Sequence, residues 1–573
     1  MKRKALAPLF IIVLAFQVLS FQPVIAQSLI ISIDADGNLE GTSAIQRIGN
    51  VYKFTRDITS DAELELVINA SNVVLDGAEF TLQGWITVNG YNVEIKNLTI
   101  VGPHVSEAIL VKGAGCKISN NHVNAEYTGI GLFHAYKTIV SENEINTTVG
   151  PDIGLSSSHY NLIRNNTAMS KVPSSVRIGW SENNTILGNS IDSLIVYDGF
   201  NNMIVENVFW QGMSLDCNSK VIGNTVMGGS VSIEGIGTEG NIFSSNVIMG
   251  DGGIFLYAAS NIVLKNNIIN TTGIGFGVSG WRGLSDFINY VDDSNLINGK
   301  RIYYLVNETN RVINPLTCPE IGFLILANCH GVTVQGNSLH TQGILMAYTS
   351  DSVVKNNNIS NVQGNGVTLE KASGNTISQN VLEANGVGVS FSDSSQNLVA
   401  GNYIIKNVEG ISVYTRYSSG NNTITQNNIS ENGIGVHFVE SGGNFIYGNN
   451  FVNNTKQVYC PPIKHGFPVD YLSYSINYWN NNISSAGGNY WSDYKGTDAD
   501  GDGTGDIPYV IDKNNQDNYP LINPGVIPEI SDEDEPTTPT EEPFPTALVA
   551  VASITSVTVI GIGLLLYFKK RKH

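Results

Sequence analysis

The stretch "GNNTITQNNISENGIGVHF", Gly420 to Phe438, sets Ile424, Ile429, Ile434 and Val436 in a run that is otherwise almost all Asn, Gly, Thr and Ser. The same phrase recurs along the chain as a unit of apolar–x–x–Asn–x–apolar. Its Asn falls at Asn121, Asn143, Asn166, Asn189, Asn207, Asn224, Asn246, Asn266, Asn337, Asn357, Asn380, Asn402, Asn427 and Asn449. Apart from a gap of 71 residues after Asn266, successive units lie 17 to 25 residues apart. Each unit also holds a phrase such as "GIGLF" (Gly129), "GIFLY" (Gly253), "GVTLE" (Gly366) or "GISVY" (Gly410), whose second and fourth residues are apolar. That period of two marks a short strand with one buried face. No segment of the repeats sustains a helical period, and the fixed leucine pattern of leucine-rich repeats is absent. Two or three short strands per unit, with Gly and Asn at the corners, predict an all-β fold: a right-handed single-stranded parallel β-helix. Stacked coils place equivalent residues about 4.8 Å apart, so the asparagines are expected to form hydrogen-bonded ladders along the corners.

The gap contains "GWRGLSDFINYVDDSNLINGKRIYYLVNETNRVINPLTCPE", with "IYYLV" as a strand after an "NG" turn. It reads as a hairpin-like insertion bulging from the solenoid. The expected organisation is an N-terminal cap and first coils over 27–90 and repeats over 91–277, with the insertion over 278–326. Further repeats follow over 327–456, then a C-terminal cap over 457–522.

The ends point to the cell surface. Lys2, Arg3 and Lys4 precede an apolar run and "VIAQ" ends at Gln27, so 1–26 reads as a signal peptide, with a non-cleaved anchor as the alternative. Residues 547–568 are uncharged and apolar or small, long enough at about 1.5 Å per residue to cross a bilayer as a helix. The basic tail, 569–573, opens with "KKRK" and is expected to stay in the cytoplasm. Between body and helix, 523–546 is rich in Pro, Thr and acidic residues and reads as an extended stalk.

The net charge is −19; without the three basic residues of the leader it is −22, and without the four of the tail −26. Such a surface excludes nucleic acid as a partner, which needs a basic footprint. It also opposes acidic polysaccharides unless a divalent cation bridges them. Five cysteines leave at least one unpaired; Cys318 and Cys329 are the one close pair and the disulfide candidate.

The ladder, with "GNVYKFTRDI" at Gly49, "NGKRIYYLVN" at Asn298 and "GGNYWSDYKGTDADGDGTGDIPYVID" at Gly487, resembles the NosD-like family within the carbohydrate-binding and sugar-hydrolase β-helices. The likeness spans roughly 30–522 and is nearest to archaeal surface members. It implies the coil fold and a carbohydrate partner. The family's namesake is linked to copper delivery, but copper wants clustered His, Met or Cys. Here nine His are scattered and there is no Met-rich run, so copper is not carried over.

Two constellations carry candidate chemistry. In "DADGDGTGD", Asp498, Asp500 and Asp502 take positions 1, 3 and 5 of a calcium loop, Thr504 position 7 and Asp506 position 9. Tyr509 stands where an EF-hand has Glu, so the loop looks more like those of dockerin or thrombospondin-type repeats, with Asp493 or Asp512 as extra ligands. An acidic turn without an ion is the alternative; crowded carboxylates favour calcium. "DADGNLEG" at Asp34 is a weaker echo. In the second constellation, aligning strand phrases over four coils puts Tyr197, Asp216, Glu234 and Tyr257 in one outward column, with Asp198 adjacent. Tyrosines stack on sugar rings and acids bond hydroxyls. Paired carboxylates, Asp216 and Glu234, are also what a retaining glycosidase uses. A plain solvated acidic face is the alternative. His134, His159 and His437 read as isolated. Among the N-x-Ser/Thr sequons Asn307 stands outside the ladder and is the glycosylation candidate.

The expected protein is a membrane-anchored surface β-helix binding extracellular glycan, with calcium stiffening its cap. A polysaccharide lyase or glycoside hydrolase is the alternative, and a structural surface-layer element the third.

Overall fold

One coil shows why the sequence folds as it does. In 398–414, strands Leu398–Ala400, Tyr403–Ile405 and Glu409–Tyr414 follow one another with only short corners between them. Val399, Ile404, Ile411 and Val413 point inward and are fully buried, while the residues between them face out. Each strand pairs in parallel with its counterpart one coil on, as Ile404 with Ile429 and Val413 with Phe438. Corners are turned by single residues in the left-handed region, such as Gln379 (φ 54°), Lys406 (φ 55°) and Glu431 (φ 56°). The computed structural model describes residues 29–528 except 61–62, 103–106, 171–174, 236–239, 415–419, 462, 466–470, 474–475 and 481–486. The expected signal peptide, membrane helix and basic tail, and the expected stalk beyond Pro528, lie outside the described residues.

The result is an all-β parallel solenoid in two stacks that share a sheet. The first stack has two 13-stranded sheets, the second two 7-stranded sheets, and a 19-stranded sheet runs through both. The expected insertion is therefore not one. Residues 276–279, 290–291 and 296–297 complete the last coil of the first stack by pairing with Ile254–Tyr257, Val263–Lys265 and Ile268–Thr271. The chain then reverses at Asn298–Gly299, and Leu296–Ile297 pairs antiparallel with Lys300–Val306. That strand, which contains the predicted "IYYLV", pairs in parallel with Ile321–Ala327 and opens the second stack. Where the strand direction reverses, the core changes faces of the sheet: Ile302, Tyr304, Phe323 and Ile325 join the first core, while Tyr303, Leu324 and Leu326 join the second. "IGFLILA", Ile321–Ala327, is buried at every position, the mark of a strand covered on both faces.

The expected Asn ladder is present. From Asn121 through Asn143, Asn166, Asn189, Asn207 and Asn224 to Asn246, each side-chain amide donates to the next Oδ1 at 2.9–3.0 Å. The next rung is Asn267, not Asn266, followed by Asn295. Asn266 instead turns the corner at φ 53°, its N–H donating to Ser294. In "LKNNII" the inward Asn is the one two residues before Ile269. In the second stack the ladder runs from Asn337 to Asn449 and on to Asn489. Two further columns stand at the other corners, one through Asn375, Asn397, Asn422 and Asn444, another through Asn385, Asn407, Asn432 and Asn454.

Both ends are closed. At the start, antiparallel pairs (Leu29–Ile33 with Leu39–Glu40, and Ile45–Ile48 with Val51–Phe54) cover the first coil. At the far end Phe451, Trp491 and Tyr509 stack at 4.3 and 4.2 Å. The ladder ends there on buried Asp517, which accepts from the Asn489 backbone at 2.7 Å and from the Trp491 indole at 3.0 Å. Burial pushes the Asp517 carboxyl above its usual range. The first residues assigned to the stalk are docked rather than free: Gly525 exchanges two 2.8 Å hydrogen bonds with the Asn450 side chain. The proposed disulfide is absent: Cys318 and Cys329 are free, buried thiols. The strand Ile321–Ala327 separates them, and an extended strand carries the chain away from its start. The Cys329 thiol instead donates to the carbonyl of Leu305 at 3.4 Å. Asn307 is exposed and stands outside the buried ladder; its Oδ1 accepts from the Asn328 side chain at 2.7 Å on an outer corner.

Candidate functional site

The column read from the strand phrases exists. Tyr197 closes strand Leu194–Tyr197, Glu234 closes Val231–Glu234 and Tyr257 closes Ile254–Tyr257; Asp216 directly follows Met213–Leu215. The register pairs Val196 with Leu215, Leu215 with Ile233 and Glu234 with Tyr257. The four side chains therefore follow one another, coil by coil, at a spacing of about 4.8 Å. Coils of 17 and 18 residues do not disturb this, because shortening is absorbed in the corners while the apolar pairs hold the strands. Asp216, Glu234 and Tyr257 are exposed and Tyr197 is half-buried. Asp198 is exposed at the adjoining corner (φ 50°), and its N–H donates to Asp216 Oδ1 at 3.1 Å. Partial burial, then the neighbouring charges of Asp198 and Glu234, raise the Asp216 carboxyl above its usual range, against the hydrogen bond from the Asp198 amide. Glu234 accepts from the Ser232 hydroxyl at 2.5 Å. Phe255 stacks beside Tyr257 with ring centroids 6.0 Å apart.

Sequence reading missed the continuation of this face toward the N-terminus. Upstream of Tyr197 the sheet carries a depression of about 170 Å³, floored by Gly131 and Gly154 and walled by Phe133, Arg177 and Tyr197. Tyr197 lies over Gly179, meets Trp180 edge-on at 5.2 Å, and has the Arg177 guanidinium 5.1 Å above its ring. In the sequence these glycines look like corner residues. The signal that sets them apart is their place between two inward apolar residues, as in "IGLF" and "IGLS".

Asp152, just before the floor strand, is fully buried and accepts from the Thr147 hydroxyl at 2.9 Å and the Ser170 amide at 3.1 Å. Burial raises its carboxyl to about 6 from 3.8. The folded state thus holds this proton more tightly than the unfolded chain. The stability it confers is complete below pH 3.8 and is lost as pH rises toward 6. About two pH units correspond to roughly 3 kcal/mol. Urea melts between pH 4 and 7 are expected to show a fall of that order, and Asp152→Asn to lack it.

At the acidic loop, Asp498, Asp500 and Asp502 come together with their carboxylate oxygens within 4.8 Å of one another. The amides of Gly501 and Gly503 donate to Asp498 at 2.7 and 2.9 Å, and Thr504 donates to Asp502 through its amide at 2.8 Å and through its hydroxyl. Asp506 is not in the cluster, its Oδ2 accepting from Ala499 at 2.9 Å. Asp493 receives the Tyr509 hydroxyl at 3.1 Å, and Asp512 accepts from the Asn515 backbone at 2.9 Å, so both build the cap. Asp34 binds Asn38 at 2.8 Å in a simple turn. His159 accepts from the Glu182 amide at 3.2 Å, and His437 contacts Glu409 at 2.9 Å.

A family model described as "Periplasmic copper-binding protein (NosD)" matches residues 66–214 and 287–496. Asp216, Glu234 and Tyr257 fall between the two matched stretches. No curated protein matches the chain. Solved structures similar to it include a mutant of the PL6-family alginate lyase AlyGC (10% identity, 75% of this chain and 95% of that one, TM-score 0.28). Others are the Azotobacter vinelandii mannuronan C-5 epimerase AlgE4 A-module (10%, 71% and 91%, 0.18) and a tailspike protein mutant of E. coli bacteriophage HK620 with a pentasaccharide (14%, 65% and 69%, 0.25). None of these likenesses carries an activity over to this chain. The donor set does not fit the copper of the family's description. Among the described residues the one trio of His, Cys, Asp or Glu side chains able to share an ion is Asp498, Asp500 and Asp502, and carboxylate oxygens suit hard cations rather than copper. The match nonetheless spans more than half of the chain and includes coils of both stacks, so the chain belongs to the NosD family.

Proposed function

We propose that this protein is a surface β-helix that binds extracellular polysaccharide along one face of its first stack. The observation that carries the reading is the outward column Tyr197, Asp216, Glu234, Tyr257, in register over four coils. Stacked coils repeat polar and aromatic groups at a regular step, which matches a polymer better than a compact ligand. A right-handed coil, a cleaved leader and the C-terminal membrane helix complete the proposal, with the body held outside the cell. Calcium at Asp498, Asp500 and Asp502 would stiffen the cap.

Retention of the detergent-purified full-length protein on immobilised polysaccharides is the test. Tyr257→Ala is expected to weaken retention roughly fivefold, in keeping with about 1 kcal/mol for a lost aromatic platform, and to leave the melting temperature unchanged because the ring is exposed. Wild-type passage through every matrix would count against the reading. Turnover is the second reading, favoured by the raised Asp216 carboxyl beside Glu234, with Asp198 as a third acid. Under it Glu234→Gln keeps binding and abolishes release of sugar ends. If neither assay responds, the structural surface-layer role remains.

A further inference from the structure

We propose that the depression between Phe133 and Tyr197 is a subsite for one sugar residue carrying a carboxylate, with Arg177 as the ligand of that carboxylate; this rests on the polysaccharide reading. Three observations converge. The first is the floor. Leu110, Gly131, Gly154 and Arg177 are consecutive members of one outward column; Glu107 lies over Gly131, 2.9 Å from where a Cβ would stand, so the open floor of the trough is Gly154, between Glu107 and Arg177. Gly154 is not required by the backbone. Its φ lies outside the left-handed region, and an added Cβ would meet nothing nearer than 3.6 Å. A strand glycine weakens the strand and marks close approach by another group; among the described residues no group occupies that space.

The walls are the second observation. Phe133 is exposed and Tyr197 half-buried, and both line the depression at its two ends along the stack. They lie three coils apart in the next column over. At about 170 Å³ the space is below the roughly 300–1,000 Å³ of a drug-sized pocket. It suits one ring of a longer chain, bracketed by aromatic platforms.

The third is charge. Arg177 is exposed and, among the described residues, makes no ion pair, only the contact with the Tyr197 ring. In so acidic a protein a guanidinium left unpaired, beside a glycine-floored trough, presents a planar fork that matches a carboxylate. Glu107 lies across Gly131 at the opposite end and would accept a sugar hydroxyl, fixing orientation. The overall negative charge does not forbid this, because exposed charges beyond about 10 Å are screened at physiological salt.

The test is calorimetric titration of the detergent-purified full-length protein with oligogalacturonate hexamer and with neutral maltohexaose. The wild type is expected to bind the uronate. Arg177→Gln should weaken that binding at least tenfold. Gly154→Val, which fills the trough with a residue that favours strands, should weaken it as much while leaving the melting temperature equal or higher. Equal affinity of wild type and Gly154→Val for the uronate overturns the subsite. Binding of maltohexaose alone, unchanged by Arg177→Gln, overturns the carboxylate preference and leaves the polysaccharide reading standing. Binding of neither sugar overturns both.

Discussion

Asn357→Ala is expected to lower the unfolding free energy by about 3–5 kcal/mol, while Asn358→Ala, one residue on, changes it by less than about 0.5 kcal/mol. Asn357 is buried. Its backbone and side-chain amides both donate to Asn380 at 3.0 Å, and its side chain also donates to the carbonyls of Val334 and Lys355 at 3.0 and 2.8 Å. Its Oδ1 receives two donors from Asn337 at 3.0 Å. Alanine leaves the Asn337 backbone amide without its acceptor, removes one of the acceptors of the Asn337 side-chain amide, which keeps the Gln335 carbonyl at 3.0 Å, and takes a donor from each of the two carbonyls; an unmet buried polar group costs about 1–3 kcal/mol. Asn358 is exposed on the other face of the strand and has no such neighbours. Paired urea melts of the two variants give the comparison directly. Equal midpoints would mean that the columns are ornaments of composition rather than supports.

Chelation of calcium is expected to lower the stability of the full-length protein by up to about 2.7 kcal/mol when the starting calcium is a hundred times its dissociation constant. Three carboxylates within 4.8 Å repel one another by roughly 1 kcal/mol per pair even in water. Their own amides and hydroxyls only partly compensate them. The loop is tied to the body, with Thr504 bridging Leu521 and the Ile522 amide donating to Gly503 at 3.1 Å. Loosening it therefore loosens the aromatic cap that closes the second core. Asp500→Ala should remove the difference between melts in chelator and in millimolar calcium. Identical wild-type melts in both would show that the loop closes without an ion.

Much of this was legible because coil geometry turns sequence spacing directly into position. Tyr197, Asp216, Glu234 and Tyr257 were placed in one column by their apolar neighbours alone, since Leu215 and Ile233 must point inward. A different signal, the spacing of a calcium loop, picks out Asp498, Asp500 and Asp502, where alternation and a glycine turn draw the carboxylates together. The coil logic failed where the period ceased to be informative. "LKNNII" offers two asparagines, and counting from the previous rung selected Asn266 where the apolar anchors select Asn267. One of the other corner columns is hard to see in the sequence because Thr138, Ser219 and Ile262 interrupt it in the first stack. The supposed insertion was a change of direction, whose sign in the sequence is the seven-residue apolar run at Ile321. Cys318 and Cys329 looked close because sequence distance says nothing about the strand between them. The trough went unseen because a glycine in a strand and a glycine at a corner are the same letter.

The shared sheet governs self-association. A stack of parallel strands ends in an edge whose amides and carbonyls invite another strand, and an open edge on a repeating fold is a template for fibres. Where the first stack stops, strand Phe276–Ser279 presents such an edge. The second stack covers it: the Gln342 side chain accepts from the Phe276 amide at 2.9 Å and donates to its carbonyl at 2.8 Å, as a further strand would. Lys371 reaches the Gly280 carbonyl at 3.4 Å, and Tyr348 packs against Phe287. The second stack is thus also the terminator of the first, covering the edge on which another strand would otherwise add.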